Sequence, residues 1–330
     1  MTSASSSSTG EEQRVRHVPA RDVPIPSSVS AAAQAALAVE LPDAPVPPAD
    51  DHDAWRERVV FVDQFLLDRF TRESGHVEAD VDTREVAGAT VHVVVPLNLP
   101  AEGRRRVYVD LHGGALVMGG GDACRAGGVR TAGIVGVETW AVDYRMPPDH
   151  PYPAGLDDCV AVYRALIEDL SPAQIIVGGG SAGGNLAAAT ILRARDEGLP
   201  LPAAAVLVTP QLDLTESGDS FNTNLGVDTV LTRRLTESSL LYADGHDLGD
   251  PYLSPLFGDF TKGFCPTFIQ AGTRDLFLSN AARLHRSLRR AGVPAELHVF
   301  EAMPHGGFGG SPEDDDLAAE WRRFVDAHWG

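Results

Sequence analysis

The stretch "IIVGGGSAGGNLAAATILRA", residues 175–194, joins an apolar run to an alanine-rich one through five glycines and one serine. Glycine-rich turns of this kind, between a strand and a helix, have two common uses. A G-x-G-x-x-G pattern beginning at Gly178 is typical of turns that hold a dinucleotide phosphate. A G-x-S-x-G pattern beginning at Gly179 is typical of turns that expose a nucleophilic serine, here Ser181. The same turn satisfies both patterns, so the rest of the chain must decide between them.

Segments with strand character alternate with helical segments around this turn. The predicted strands cover residues 81–87, 89–95, 104–113, 138–144, 173–179, 203–210, 265–272 and 295–301. Helical segments separate most of the later strands, whereas residues 114–137 carry no helix prediction. Strands that alternate with helices form mainly parallel sheets covered on both faces. The predicted fold class is therefore α/β, with a mainly parallel eight-stranded sheet and helices on both faces.

Two parts of the chain depart from that alternation. Residues 1–20 lack hydrophobic periodicity and begin with a polar run, so we expect a disordered tail there. Residues 211–250 are polar and irregular, and we expect them to form an insertion above the sheet.

Composition excludes several classes of partner. The 330 residues carry a net charge of −19, whereas nucleic acids and anionic membrane surfaces attract basic patches. No apolar run is long enough to span a bilayer, and the first residues lack the apolar stretch of a signal peptide. The three cysteines form no C-x-x-C pair, which disfavours a disulfide framework and a structural zinc site. We therefore expect a cytoplasmic protein without a nucleic-acid partner or membrane insertion.

The candidate base and acid each follow a predicted strand. A serine nucleophile needs a histidine to accept its proton and a carboxylate to orient that histidine, in the chain order Ser, Asp or Glu, His. His305 lies in "EAMPHGGFGG" and Asp275 in "CPTFIQAGTRDLF", each just past a strand. The carboxyl ends of parallel strands share one edge of the sheet, where α/β active sites collect. We expect Ser181, Asp275 and His305 to meet there as a catalytic triad.

The alternative, a dinucleotide cradle, lacks its other parts. Such a motif usually follows the first strand of its fold and precedes, by about 20 residues, an acid that binds the ribose. Here several strands precede the motif, and the acids at that distance, Asp196 and Glu197, lie at the end of a helix. The turn is therefore predicted to present a serine, and no nucleotide cofactor is expected.

A second glycine turn is the candidate oxyanion hole. The segment "HGGA", residues 112–115, follows an apolar strand, where HGGG-type turns donate backbone N–H groups to a developing oxyanion. The partner donor is expected at the N–H of Ala182, and one such donor contributes about 2.7–4 kcal/mol of transition-state stabilisation. An ordinary tight turn is the alternative for Gly113 and Gly114.

At these residues the chain resembles the hormone-sensitive-lipase-like carboxylesterases, the family IV bacterial esterases of the α/β-hydrolase fold. The likeness runs from about residue 20 to the C-terminus. Besides "HGGA" and "GGSAGGN", the segment "VDYRMPPDHPYPAGLDDCVAVYRAL" is similar to the family's DYRLAPEHPFPAALDD segment. The segments "DPYLSPL", "GTRDLFL" and "MPHGGF" are similar to its later motifs.

The resemblance implies a serine carboxylesterase that acts on small-molecule esters of short to medium acyl chains through an acyl-enzyme. It implies cap helices at residues 21–75 and a catalytic α/β-hydrolase domain at 76–330, with a further cap insertion at about 211–250. The oxyanion N–H groups would come from Gly114, Ala115 and Ala182, while His112 orients the turn. Family members commonly contain no metal or cofactor and often form homodimers.

Two residues depart from the family pattern, and other functions stay open. Ala115 replaces the third glycine of the oxyanion turn, and Gly180 stands where the family usually carries Asp or Glu. Lactone hydrolysis, amide hydrolysis and acyl transfer use the same triad. A non-catalytic small-ligand receptor on this fold is the alternative from another class, but such a receptor is expected to lack the base that His305 supplies.

Overall fold

A computed structural model describes residues 15–39, 45–99 and 106–329, and they contain one eight-stranded sheet. Its strands are β1 (Ala79–Val86), β2 (Ala89–Pro96), β3 (Val107–Leu111), β4 (Glu138–Asp143), β5 (Ile175–Gly180), β6 (Ala204–Val208), β7 (Thr267–Gly272) and β8 (Ala295–Phe300). Their order across the sheet is β1-β2-β4-β3-β5-β6-β7-β8. β2 pairs antiparallel with both β1 and β4, and the other neighbouring strands pair in parallel. The prediction of a mainly parallel eight-stranded sheet is confirmed.

Helices cover both faces of this sheet. The α-helices of the described residues are α1 (Ala31–Leu37), α2 (His52–Ser74), α3 (Asp122–Val135), α4 (Ala154–Asp169), α5 (Ala182–Asp196), α6 (Ser220–Thr223), α7 (Thr236–Ala243), α8 (Leu278–Arg290) and α9 (Pro312–His328). On one face, Val109 of β3 belongs to the same core as residues of α4, α5 and α8. On the other face, Tyr108 of β3 belongs to a core with residues of α1, α3 and α9. Successive residues of a strand point to opposite faces, which is why β3 is apolar along nearly its whole length.

Helix α3 occupies a segment without a helix prediction. Three of its residues are glycine, which disfavours a helix interior by about 1 kcal/mol relative to alanine. These glycines allow close approach to neighbouring elements. A Cβ on Gly128 would lie 2.6 Å from the Cβ of Ala141 in β4, and one on Gly133 would lie 2.5 Å from a methyl of Val77. The sequence analysis made no helix prediction here, because the glycines lower the local helix propensity, and tertiary packing outweighs that propensity.

The segments that depart from the alternation differ in character. Residues 211–250, expected to be irregular, contain the short helices α6 and α7. Of the tail predicted at residues 1–20, residues 1–14 lie outside the described residues, and residues 15–20 are exposed and belong to no helix or strand. Within the described ranges, no helix combines the length and the apolar character that crossing a bilayer requires.

The parallel strands bring their following loops together at one edge of the sheet. The oxyanion turn follows β3, Ser181 follows β5, Asp275 follows β7, and His305 follows β8. The fold therefore gathers all the predicted site residues at the carboxyl ends of the strands.

Candidate active site

Ser181 occupies a sharp turn between β5 and α5. Its backbone φ is 56° and its ψ is −118°, an unusual combination that costs a non-glycine residue about 1–3 kcal/mol. The N–H of Ser181 donates to the carbonyl of Val208 at 2.8 Å, and the carbonyl of Ser181 accepts from the N–H of Gln211 at 3.1 Å. These bonds to the β6 segment hold the strained turn, which has the geometry of a nucleophile elbow.

The glycines of the elbow meet different surroundings. A Cβ on Gly183 would overlap the carbonyl oxygen of Leu111 in β3, and so would a Cβ on Gly179. A Cβ on Gly180 would meet only the carbonyl oxygen of Val208, at 3.8 Å. The outer glycines of the G-x-S-x-G pattern are therefore required by backbone contact with β3, whereas a side chain would fit at Gly180.

The imidazole of His305 lies between Ser181 and Asp275. Its Nε2 is 2.9 Å from the Oγ of Ser181, and its Nδ1 is 3.1 Å from Oδ1 of Asp275. Asp275 is fully buried, and its Oδ1 also accepts from the N–H of Phe277 at 2.9 Å. The ring of Phe277 packs edge-on against the imidazole, with ring centroids 4.9 Å apart. The three residues selected from the sequence are thus brought together in hydrogen-bonding order.

The oxyanion turn lies directly against the elbow. A Cβ on Gly113 would lie 3.1 Å from the carbonyl oxygen of Gly180 and 3.5 Å from the Cβ of Ser181. Within the described part of the chain, the backbone N–H groups of Gly113, Gly114 and Ala115 make no hydrogen bond. They are therefore available to an oxygen atom bound beside Ser181.

Ala182 offers a further donor beside this turn, and Ala115 adopts an unusual backbone conformation within it. Ala182 is the first residue of α5, so its N–H has no partner inside the helix. Ala115 has a φ of 54°, and its methyl group is buried in an apolar cluster with Trp55 and Leu241. The alanine at the third position of the turn is thus accommodated in a left-handed conformation.

His112 holds the turn from behind. Its ring stacks on Tyr144 with centroids 4.0 Å apart, and the Tyr144 hydroxyl donates to the His112 carbonyl at 2.8 Å. Burial lowers the pKa of the His112 imidazole, which favours the neutral ring. Its Nδ1 lies 2.8 Å from the carbonyl oxygen of Gly113, so the Nδ1–H donates there. These contacts fix the conformation of the turn.

Asp228 is a buried residue of the site that the sequence interpretation missed. It belongs to the insertion between β6 and β7 and is 1% exposed. Its Oδ1 accepts from the N–H groups of Val230 and Leu231 at 2.9 and 3.1 Å. Its Oδ2 accepts from the N–H of Leu276 at 2.8 Å, and the N–H of His305 lies 3.3 Å from Oδ1. One carboxylate therefore joins the insertion to the loops that carry Asp275 and His305.

The electrostatic setting of Asp228 follows from its position. Burial raises the pKa of its carboxyl group, and the nearby His305 opposes that rise.

The sequence offers only a partial signal for Asp228. Its bond to the N–H of Val230 forms a local turn that the sequence "VDTVL" could have indicated. Its partners in the catalytic loops, Leu276 and His305, lie 48 and 77 residues away along the chain, and no local sequence pattern indicates these contacts.

Helix α2 supports both the oxyanion turn and the histidine loop, the segment of residues 301–310. Oδ1 of Asp63 accepts from the N–H of Gly119 at 2.6 Å. Six residues further along the helix, Nη2 of Arg69 donates to the carbonyl of Gly306 at 2.9 Å, and its Nε donates to Glu73 at 2.7 Å. The resemblance implies cap helices at residues 21–75, but it does not indicate these two polar contacts.

Comparisons with known proteins identify the family of the chain. The sequence profile of a family described as alpha/beta hydrolase fold matches residues 108–308, well over half of the chain. An acetyl-hydrolase of Streptomyces hygroscopicus is 36% identical over 211 residues, which cover 62% of this chain and 69% of that protein. An esterase of Acinetobacter venetianus is 32% identical, over 58% of this chain and 64% of that protein.

Solved structures extend the likeness to nearly the whole chain. The crystal structure of esterase E25 superposes with a TM-score of 0.89 at 34% identity, covering 96% of this chain and 99% of that one. An esterase from the bacterial hormone-sensitive lipase family superposes with a TM-score of 0.75 at 29% identity, covering 87% and 94%. The chain therefore belongs to the α/β-hydrolase family and, within it, to the hormone-sensitive-lipase-like ester hydrolases.

Proposed function

We propose that the chain is a serine carboxylesterase that cleaves small-molecule esters of short to medium acyl chains through an acyl-enzyme. The observation that carries this proposal is the continuous hydrogen-bonded order of Ser181, His305 and Asp275. A hydroxyl at 2.9 Å from a neutral imidazole nitrogen can pass its proton to that nitrogen as it attacks a carbonyl carbon.

In the first half-reaction, Ser181 Oγ forms a bond to the ester carbonyl carbon while His305 Nε2 takes the hydroxyl proton. The carboxylate of Asp275 holds the Nδ1–H and stabilises the imidazolium. The resulting oxyanion accepts hydrogen bonds from the N–H groups of Gly114, Ala115 and Ala182. The tetrahedral intermediate then breaks its bond to the alcohol oxygen, which leaves with the proton from His305.

In the second half-reaction, water attacks the acyl-enzyme. His305 takes a proton from that water, and the same N–H groups bind the second oxyanion. The bond to Ser181 Oγ breaks, the acid leaves, and the serine regains its proton from His305. Among the protein groups, only Ser181 and His305 change their protonation state in this cycle.

Two segments of the chain surround this site and are candidates for a cap. Helix α2 packs against the oxyanion turn through Trp55 and bonds to the histidine loop, and the insertion at 211–250 contacts that loop through Asp228. A cap in this position would line the acyl and alcohol pockets and exclude water during acylation. We therefore propose that residues 21–75 and 211–250 form the cap and that the rest of residues 76–330 forms the catalytic domain.

The test is the Ser181→Ala variant, with Ser287→Ala on α8 as a matched control. We expect Ser181→Ala to lose nitrophenyl ester hydrolysis and labelling by a fluorophosphonate while it keeps the wild-type circular dichroism. Ser287→Ala should retain both activities. Undiminished ester hydrolysis by Ser181→Ala would refute the proposed nucleophile.

The acyl preference and the rival reactions need a second set of measurements. Nitrophenyl esters from acetate to palmitate should give the highest kcat/KM at short or medium chains. Lactones, anilides and esters with a competing alcohol distinguish lactone hydrolysis, amide hydrolysis and acyl transfer on the same triad. Tight ligand binding without turnover or fluorophosphonate labelling would favour the non-catalytic receptor.

A further inference from the structure

A buried group of metal-ligand side chains lies behind the oxyanion turn. One ligand atom each from His112, Cys124 and Asp143 lies within 4.8 Å of the others. His112 and Cys124 are buried, and the carboxylate of Asp143 is 21% exposed. None of these three side chains is needed for the proposed proton transfers at Ser181.

A fourth side chain lies beside this group, next to Asp143. His92 of β2 is 6% exposed, and its Nε2 lies 3.9 Å from Oδ2 of Asp143. Among the described residues, the Nε2 of His112 has no hydrogen-bond partner, and the ring of His92 meets the backbone of Gly121 only outside ordinary hydrogen-bond geometry. Buried polar atoms are normally paired, so two unpaired imidazole nitrogens in one cluster need an explanation.

The other nitrogen of each ring is already held. The Nδ1 of His92 lies 2.9 Å from the Oγ1 of Thr83, and the Nδ1 of His112 lies 2.8 Å from the carbonyl of Gly113. Imidazoles that bind metals usually have their second nitrogen fixed by such an oxygen atom.

We propose that His92, His112, Cys124 and Asp143 form a binding site for one divalent transition-metal cation of the zinc class. Two imidazoles, a thiolate and a carboxylate are the donor set that Zn²⁺ and Co²⁺ accept in tetrahedral geometry. Zinc–ligand bonds of about 2.0–2.3 Å require small movements of His112, Cys124 and Asp143, and the ring of His92 must also move toward them. On binding, the Cys124 thiol releases its proton to solvent as the sulfur–metal bond forms.

The site would connect four separate parts of the fold. His92 lies on β2, His112 follows β3, Cys124 lies on α3, and Asp143 ends β4. A cation bound there would cross-link these elements and hold the oxyanion turn through His112, at a distance from the triad. The role is therefore structural support of the turn, not a step of ester cleavage. The ligands are scattered along the sequence, so the absence of a C-x-x-C pair does not bear on them.

Cobalt binding to the whole chain tests the proposal directly. Protein without an affinity tag is stripped with EDTA, desalted and titrated with Co²⁺. We expect one equivalent to bind, with the visible bands of tetrahedral cobalt and a near-ultraviolet thiolate-to-cobalt charge-transfer band. One equivalent of Zn²⁺ should abolish these bands and raise the Tm by several degrees. Absence of the charge-transfer band in the wild-type protein would overturn the proposal, whatever the variants do.

Two cysteine variants locate the ligand. Cys124→Ser should lose the charge-transfer band and the Zn²⁺-dependent rise in Tm. The matched control is Cys265→Ser, since Cys265 is also free and buried but lies before β7. It should keep both properties. His92→Gln provides an independent variant, in which cobalt affinity should fall at least tenfold. A band that persists in Cys124→Ser would place the metal elsewhere and refute the assignment.

Discussion

The nucleophile elbow, residues 179–183, and the histidine loop, residues 301–310, meet in one serine–imidazole contact but are held in opposite ways. The elbow is held by main chain. Its outer glycines lie against the carbonyl oxygen of Leu111, and Ser181 exchanges backbone hydrogen bonds with Val208 and Gln211. Only residues without a Cβ allow β5 and β3 to approach in this way.

The histidine loop is held by side chains from distant segments. Asp228 of the insertion approaches the N–H of His305, and Arg69 of α2 donates to the carbonyl of Gly306. The carboxylate of Asp314 in α9 accepts from the N–H groups of Phe308 and Gly310 at 3.0 and 2.8 Å. From this difference in support we expect that substitutions in the elbow impair folding and catalysis together. Substitutions around the histidine loop should impair catalysis while the sheet stays folded.

The largest effect is expected for Gly183→Ala in the elbow. The added methyl group would overlap the carbonyl oxygen of Leu111, so β3 and α5 would have to separate. We expect the free energy of unfolding to fall by more than about 4 kcal/mol, or the protein to be insoluble. Gly180→Ala is the matched control, with a loss of about 1 kcal/mol or less because its Cβ has room. Urea unfolding of the two variants measures the difference, and similar losses would contradict it.

Asp275→Asn should lower kcat by about 10⁴-fold, since an amide cannot hold the imidazole tautomer that accepts the serine proton. The substitution keeps the size of a fully buried side chain, so the elbow and the sheet should keep their structure. The measurements are kcat with a nitrophenyl ester and the near-ultraviolet circular dichroism. A loss of less than tenfold would mean that another group orients His305.

Asp228→Asn should give the next largest loss. An amide retains one acceptor oxygen, but its NH₂ group would face a backbone N–H, and a charge-assisted bond contributes about 1.5–3 kcal/mol. If that energy is lost from positioning His305, kcat falls by about 10- to 10²-fold. Asp213→Asn is the matched control, because Asp213 is equally buried in the same insertion but bonds to Ser217 and Arg283.

Both aspartate variants should have a lower Tm than the wild type, and only Asp228→Asn should have a much lower kcat. Equal kcat losses in the two variants would assign Asp228 to general stability of the insertion.

The smallest effect is expected for Arg69→Met in α2. The variant loses one hydrogen bond to the Gly306 carbonyl, of about 1 kcal/mol, while the methionine keeps most of the apolar stem. The variant also loses the ion pair between Arg69 and Glu73 within α2. We expect a several-fold lower kcat with KM nearly unchanged. Arg72→Met, on the exposed side of the same helix, should have wild-type kinetics. A change in KM alone would instead indicate that α2 contacts the substrate.

These contrasts also explain how far the sequence could predict the molecule. Strand alternation predicted the sheet, and the chain order of Ser181, Asp275 and His305 predicted the residues that meet at its edge. Helix α3 was not predicted because its glycines lower the local helix propensity. Their role is to allow close contact with β4 and Val77, and local propensity carries no information about such contacts. Asp228 escaped because its partners are distant along the chain.

The sequence by itself determined the fold and the three central side chains, because the motifs at strand ends are local and parallel strands place their carboxyl ends together. Only the tertiary structure decided how those side chains are supported, through Asp228, Arg69 and Asp63. It also decided which histidine, cysteine and aspartate side chains form a cluster behind the oxyanion turn. Contacts of this second kind depend on the packing of whole elements, and packing is a property of the folded chain rather than of any segment.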